Sequence, residues 1–310
     1  MDISIVIPVF NEENNLERVY ERLLQVFSES PLHCELVFVD DGSTDGSLGV
    51  LKRIKETCGD AFQIKVVELS RNFGQHPAII AGFSEAEGKL IATMDADLQI
   101  DPTYLLPMIE KIGEQHDMVS GIRIGRSDSF LLRRLPSRVL NLLIGRTVSK
   151  RLKDFGCPLN VFKKEIVQSM ADYGEMRRFY KALAAMLARS VAEVEVRCEP
   201  RQNGRSKYNL ISLIDLFFEF VTNFSRHLFQ RVVLVGLILG SVSFLVGVLY
   251  MALRFPFKII PEPMDRLQAV IAVGFTFGME LLILGVLGDF VVKIYRKVDS
   301  RPLFTVKKVW

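Results

Sequence analysis

Two carboxylates two residues apart, Asp95 and Asp97 in Asp95-Ala96-Asp97-Leu98-Gln99, are the residues best suited to chemistry. They follow the apolar run Leu90–Met94 and so stand where a strand would end. Carboxylate oxygens are hard ligands, and such a pair can hold Mg²⁺ or Mn²⁺ beside a diphosphate. A bound ion offsets the charge that develops on a leaving phosphate group. An Asp-x-Asp triplet alone is common in surface loops, but this one belongs to a larger set. Val39-Asp40-Asp41-Gly42-Ser43-Thr44-Asp45 follows a second apolar run, and its acids can accept hydrogen bonds from a base or ribose. The bland alternative is a strand-to-helix turn in which Asp45 or Ser43 caps the helix. In Ile7-Pro8-Val9-Phe10-Asn11-Glu12-Glu13-Asn14, Asn11 and Glu12 close a third run or begin a helix.

Elements that would position these residues are legible in residues 1–120. Apolar β-type runs predict strands over Ser4–Val9, Glu35–Asp40, Ile64–Leu69, Leu90–Asp95 and Met118–Gly121. Helical spacing covers Asn14–Phe27, Ser47–Thr57, Gln75–Glu85 and Pro102–Gln115. Alternating strands and helices imply an α/β fold with a mostly parallel sheet and helices on both faces. Ligands gather at the carboxyl ends of such strands, and Asn11, Asp40, Asp41 and Asp95 fall there. Further along, Phe130–Leu143 and Lys164–Ala188 read as helices and Val191–Cys198 as a strand.

The second half points to a membrane. Hydrophobic residues make up 49% of the 310 residues, which is high for a wholly soluble chain. Val232–Leu253 carries no charge, and Leu267–Gly288 is interrupted only by Glu280. About 20 apolar residues suffice to cross the hydrocarbon core, so two transmembrane helices are expected. The connector Arg254–Arg266 holds Pro256, Pro261 and Pro263, which implies a hairpin. Asn209–Phe224 reads as an amphipathic helix in the bilayer surface. Three basic residues lie in the connector, while Arg226, Arg231, Lys293, Arg296, Lys297, Arg301, Lys307 and Lys308 flank the spans. Basic flanks favour the cytoplasm, and a basic tail would lie against anionic headgroups. The expected division is a catalytic domain over 1–208, a juxtamembrane helix over 209–228, a hairpin over 229–292 and a basic tail over 293–310. Glu280, at mid-span, calls for a packing or assembly partner.

Other classes are disfavoured. A net charge of +3, from 39 basic and 36 acidic residues, is too mild for nucleic acid. Cys34, Cys58, Cys157 and Cys198 form no CxxC pair, and read as free thiols in a reducing compartment. The chain opens on a strand-like run without a cleavable leader, so a cytoplasmic bulk is expected.

IPVFNEE, VDDGSTDGS, LSRNFGQH, MDADLQ, DFG and RQNGRSKY, in this order, resemble the family-2 glycosyltransferases of GT-A fold. Within them the chain is similar to polyprenyl-phosphate glycosyltransferases, such as bactoprenol glucosyltransferases and dolichol-phosphate mannose synthases. NFGQHPAIIAGF and DFGC most resemble the branch that transfers 4-amino-4-deoxy-arabinose derivatives to undecaprenyl phosphate. The resemblance spans the full chain, hairpin included. It implies that Pro8, Phe10, Glu12, Val39 and Asp41 hold the nucleoside of a nucleotide-sugar. Asp95, Ala96, Asp97 and Gln99 would lie at the diphosphate, with Asp95, Asp97 and Gln99 as ligands of Mg²⁺ or Mn²⁺. Arg123 would touch the donor phosphates, and Arg201 and Lys207 would close over them. Arg133 or Arg134, with Ser137, matches the grip on the acceptor phosphate, and Asp154 would sit near the attacking oxygen as base or orienting group. Cys157 and Pro158 follow the DFG where many relatives carry Arg-Leu. Relatives also suggest a homo-oligomer such as a tetramer.

These assignments imply inverting transfer from a nucleotide-sugar, UDP-linked by that resemblance, to a polyprenyl phosphate at the cytoplasmic face of the inner membrane. The acceptor phosphate is already an anion, so the task is to bring two anions together, and Arg can grip phosphate through two bonds. Two rivals stand beside this reading. A processive polysaccharide synthase would carry a QxxRW-type motif and more spans, whereas the single Trp is Trp310. A non-catalytic membrane scaffold would not need intact acids.

Overall fold

A computed structural model describes residues 1–59, 61–112, 115–124, 152–198, 228–254, 265–298 and 302–310. The described chain forms two compact units, Met1–Asp215 with Pro302–Trp310, and Leu216–Arg301.

In the first unit, a sheet of eight strands holds β1 (Ile3–Val9), β2 (Cys34–Asp40), β3 (Gln63–Leu69), β4 (Leu90–Thr93), β5 (Met118–Ile124), β6 (Asn160–Lys163), β7 (Val191–Arg197) and β8 (Val306–Val309). Their order is β7-β5-β6-β4-β1-β2-β3-β8. The parallel core runs β4-β1-β2-β3. Every residue of β2 is buried, and of β1 all but Pro8, because helices cover both faces and leave no solvent side to alternate toward. Those helices include α1 (Leu16–Phe27), α2 (Ser47–Thr57), α3 (Gln75–Glu85) and α4 (Leu105–Ile112). In α1 the buried Leu16, Val19, Leu23, Val26 and Phe27 form one stripe at helical spacing.

The sheet is mixed, with a parallel centre and antiparallel additions. β6 enters antiparallel between β4 and β5, and β8 pairs antiparallel with β3. The helix expected over Lys164–Ala188 is broken into α5 (Lys164–Ser169), a 3₁₀ stretch over Ala171–Phe179 and α6 (Tyr180–Leu187). The break sits at Gly174, with φ of +49°, a conformation glycine adopts at little cost. The stretch read as a basic tail also divides. Residues up to Val298 continue a helix, and Pro302–Trp310 returns to the sheet. Lys307 and Lys308 are therefore engaged with the sheet edge: Lys307 pairs with Glu68 at 2.5 Å and Lys308 stacks on Trp310.

The second unit contains α7 (Leu228–Arg254) and α8 (Asp265–Val298). Both are long and apolar enough to cross a membrane, with mean hydropathy of 2.7 and 2.3 over their best windows and 11% of each window buried. Glycines let the two backbones approach. A Cβ on Gly278 would stand 2.5 Å from the Gly240 nitrogen, and one on Gly236 2.6 Å from that of Leu282. In lipid, where apolar surface gains nothing from leaving its solvent, such close packing is what holds helices together. Near the connector, Arg254 and Gln268 both donate to the Tyr250 hydroxyl, at 2.8 and 2.9 Å. Glu280 is exposed on α8, with the α7-facing Gly278 two residues before it, so it points away from α7. The amphipathic stretch expected over Asn209–Phe224 lies outside the described residues, and of the juxtamembrane segment 209–228 only Leu228 is described, as the first residue of α7.

Candidate active site

β1, β2 and β4 run parallel, so the turns after Val9, Asp40 and Thr93 meet at one edge of the sheet. Each turn is built differently.

After β2, Asp41 is buried, and its two carboxylate oxygens accept from the Phe73 and Gly74 backbone N–H groups at 2.7 and 2.9 Å. Gly42 makes this possible. It adopts φ of +67°, and a Cβ there would lie 2.5 Å from the Arg71 carbonyl carbon, blocking the 71–74 loop from draping over the turn. Neighbouring Asp40 is also buried, and burial pushes its pKa upward. Asp45 accepts from the Ser47 N–H at 3.0 Å, but the N-cap position of α2 is Gly46, without a side-chain cap, so neither Asp45 nor Ser43 takes the cap position weighed from sequence.

After β1, Asn11 takes φ of +58°. Its side-chain oxygen accepts from Thr44 N–H at 2.8 Å, and its own N–H donates to Ser43 Oγ at 3.1 Å. Glu12 accepts from Asn15 Nδ2 at 2.6 Å, which ties the carboxylate expected at the nucleoside to the lead-in of α1. Pro8 and Phe10 are half-buried at the end of β1, and Val39 is fully buried in β2.

After β4, Asp95, Asp97 and Gln99 are half-buried around the buried Ala96. Leu98 adopts φ of +52°. A branched side chain there costs about 1–2 kcal/mol, and such strain persists where the surroundings enforce it. The reversal folds Gln99 back, so that its N–H and Nε2 donate to the two Asp97 oxygens at 3.1 and 2.8 Å. Gln99 thus turns its amide nitrogen toward Asp97, while its Oε1 faces Cys198 Sγ at 3.7 Å. Gln75 Nε2 donates to Asp95 Oδ1 at 2.6 Å. The segment 70–75 therefore touches both acidic turns, Asp41 through its backbone and Asp95 through Gln75.

A fourth cluster joins residues that the sequence placed separately. Arg123 forks onto Asp154, with Nε to Oδ2 at 2.8 Å and Nη2 to Oδ1 at 2.9 Å. Burial alone would push Asp154 up; the paired guanidinium outweighs it and holds the pKa at about 2. Gly156 leaves room for the fork, since a Cβ there would stand 2.5 Å from Arg123 Nη2. Lys181 donates to the carbonyls of Asp154 and Cys157 at 2.6 and 3.1 Å, and burial lowers its pKa to about 8. Cys157 packs inward against Gly121, and the Pro158 carbonyl accepts from Thr93 Oγ1 at 2.7 Å. The Cys-Pro departure after the DFG is thus internal packing.

Arg133, Arg134, Ser137, Arg201 and Lys207 lie outside the described residues. Sequence reasoning assigned no role to Gln75, Phe73, Gly74 or Lys181. The first three stand in the LSRNFGQH motif, and a lysine inside the apolar run Tyr180–Leu187 was itself a signal.

Among the described residues no group of three or more His, Cys, Asp or Glu gathers as a metal cage. The donor set after β4 is two carboxylates and an amide, all hard oxygen ligands suited to Mg²⁺ or Mn²⁺. A cation there would need further oxygens from a phosphate ligand to complete its shell.

Residues 4–171 match the family described as glycosyl transferase family 2. Full-length similarity extends to the undecaprenyl-phosphate 4-deoxy-4-formamido-L-arabinose transferases of Serratia proteamaculans, 36% identical over 99% of this chain and 93% of the relative, and of Pseudomonas aeruginosa, 36% over 99% and 90%. Among solved structures, S. aureus TarS 1–349 in complex with UDP-GlcNAc superposes with a TM-score of 0.50 at 15% identity, over 96% of this chain and 92% of that one. Glucosyl-3-phosphoglycerate synthase from Mycobacterium tuberculosis, in complex with Mn²⁺, UDP and phosphoglyceric acid, gives 0.50 at 14% identity over 72% and 78%. The acidic turns, the sheet that carries them and these similarities agree: the chain belongs to glycosyltransferase family 2.

Proposed function

We propose that the protein transfers a 4-deoxy-4-formamido-pentose, or a near relative of that sugar, from a UDP-linked donor to undecaprenyl phosphate. The reaction is a single inverting displacement at the cytoplasmic face of the inner membrane. The observation that carries the donor half is the pair of acidic turns after β2 and β4, bridged by the segment 70–75. The acceptor half is supported by the full-length relatives and by the two apolar helices.

In this reading Pro8, Phe10, Glu12, Val39 and Asp41 frame the nucleoside. Asp95, Ala96, Asp97 and Gln99 face the diphosphate, with Asp95, Asp97 and Gln99 as ligands of Mg²⁺ or Mn²⁺; Gln99 must turn its amide over to serve. The ion, when bound with the donor, supplies countercharge for the departing diphosphate. Because the protein contributes few charged ligands, metal and donor bind together. Arg201 and Lys207 close over the donor, and Arg133 or Arg134 with Ser137 holds the acceptor phosphate.

Asp154 is read as an orienting group. With a pKa of about 2, it has little driving force to take a proton, and an acceptor phosphate that is already ionised needs none removed. It fixes Arg123, whose remaining capacity serves the phosphates. A membrane-bound site meets a lipid-borne acceptor at high effective concentration without extra contacts. Assembly as a homo-oligomer belongs to the same proposal.

The test offers the purified full chain undecaprenyl phosphate and a panel of UDP-sugars, with and without EDTA, and reads lipid products by mass spectrometry. One sugar added per lipid, from the 4-formamido-pentose donor and lost in EDTA, is expected. Transfer from no donor would overturn the reading, and products carrying many sugars would favour a processive synthase.

A further inference from the structure

β8 lies far in sequence from both acidic turns, yet it is fastened to the segment that serves them. β8 pairs with β3 through Val67–Val309, Glu68–Lys308 and Leu69–Val306, with an irregularity between Glu68 and Leu69. Trp310 exchanges backbone hydrogen bonds with Val66, at 2.9 and 3.3 Å. The Trp310 ring lies between Lys52 and Lys308, whose ammonium groups stand 3.6 and 3.4 Å from its centroid. Its Nε1 donates to Glu68 Oε2 at 3.2 Å, and Lys307 Nζ donates to Glu68 Oε1 at 2.5 Å. Glu68 is buried, and the Lys307 contact holds its carboxyl below the usual range.

The attachment does not stop at the strand. Ser70, the residue after β3, donates its N–H to the Thr305 carbonyl at 2.9 Å. The next residues are the loop whose Arg71 backbone crosses Gly42, whose Phe73 and Gly74 N–H groups hold Asp41, and whose Gln75 holds Asp95. A five-residue loop between β3 and α3 has little freedom once its first N–H is bonded. Its last residues are then delivered to the two acids in one register. Covering an exposed sheet edge would explain a terminal strand by itself. The bond from Ser70 to Thr305 continues the β3–β8 register one residue past β3 and so carries the pairing into the loop itself.

We propose that β8, clamped by Trp310, is a positioning element for donor binding: it sets the 70–75 segment and through it Asp41 and Asp95. This rests on the reading of those acids as the donor site. Loosening the clamp should therefore weaken the donor without slowing the chemical step or weakening the acceptor.

The experiment compares the full-length wild type with Trp310→Ala, Trp310→Phe and a deletion of residues 302–310. It measures steady-state kinetics, UDP binding in Mn²⁺ by calorimetry, and hydrogen exchange over 69–75. Trp310→Ala should raise donor KM and the UDP Kd by about tenfold, a common size for coupling between sites. It should leave kcat and acceptor KM unchanged and speed exchange at Phe73 and Gly74. Trp310→Phe keeps a ring between the two lysines and should recover most of the affinity. Unchanged donor KM with faster exchange would overturn the inference, as would a fall in kcat alone. Should the deletion fail to fold, the two point variants still decide. If wild-type protein binds no UDP, the donor-site reading fails and takes this one with it. If wild type and Trp310→Ala bind UDP equally, only the positioning role fails.

Discussion

Asp41 and Asp97 are both aspartates just past the end of a parallel strand, but the protein holds them in opposite ways. Asp41 is buried, and each of its oxygens accepts from a backbone N–H group that cannot leave without moving the loop. Asp97 is half-buried: one oxygen accepts from the Gln99 backbone N–H and the other from the Gln99 side-chain amide, while Asp95 meets the side-chain amide of Gln75. A side-chain amide swings away at the cost of a rotamer; a backbone amide does not. The first arrangement suits an acceptor fixed before the ligand arrives, the second a carboxylate that must re-ligate. Asp154 is a third case, charge-locked by Arg123. The sequence shows the same residue in each motif, and only the partners separate the three.

The largest test of this contrast is Asp97→Ala. If Asp97 is a ligand, turnover should fall on the order of 10³-fold, since the ion offers several kcal/mol to the departing charge. Thermal unfolding should barely shift, because the residue supports no core packing. Wild-type-like turnover would remove the metal assignment. Asp41→Ala should do the reverse in kind. It strips a buried acceptor from two N–H groups and should cost about 1–3 kcal/mol of stability, read by denaturant melting, together with weaker UDP binding. Equal melting of the two variants would dissolve the distinction between anchor and ligand.

Asp154→Asn sharpens the third case. The folded-state pKa of about 2 lies below the ordinary 3.8. Asp154 therefore contributes stability that is complete above pH 4 and is lost as pH falls through about 2. The contribution is about 2 kcal/mol on a group that is mostly shielded. The melting temperature of wild type should converge on that of Asp154→Asn across this window. Near neutral pH the shape of the kcat profile should be the same for both; a limb that disappears in the variant would restore a general-base role. The last test concerns the second unit and should leave the chemistry untouched. Gly278→Leu places a Cβ about where the Gly240 backbone stands, and overpacking of this kind costs about 1–3 kcal/mol. It should lower stability in detergent while leaving UDP affinity unchanged.

Much of the site was legible because it follows strands whose hydrophobic runs are unambiguous. β1, β2, β3 and α2, α3 fall where periodicity placed them, within a residue or two. β6 was not, since Asn-Val-Phe-Lys is four residues long and its buried Asn160 reads as a turn residue. Its amide nitrogen donates to the nearby Cys157 and Pro158 carbonyls and to Thr93 Oγ1 on β4, and that last partner, 67 residues away, is the one no local window shows. β8 was missed for the same reason in stronger form. Val-Lys-Lys-Val after an apolar helix resembles a basic tail, and its pairing with β3 spans some 240 residues of chain, as the Glu68–Trp310 bond illustrates.

The sequence by itself determined the local matters: which runs become strands, where each acid falls relative to a strand end, and that two helices are apolar enough for a bilayer. These depend on period, composition and near neighbours, and physics reads them within a window of a few residues. Tertiary structure decided which partner each acid meets: backbone for Asp41, amides for Asp95 and Asp97, a guanidinium for Asp154. It also decided that Trp310 returns to the edge of the sheet. Partner choice depends on which distant segments close onto one another, and closure is set by the packing of the whole unit rather than by any stretch of the chain.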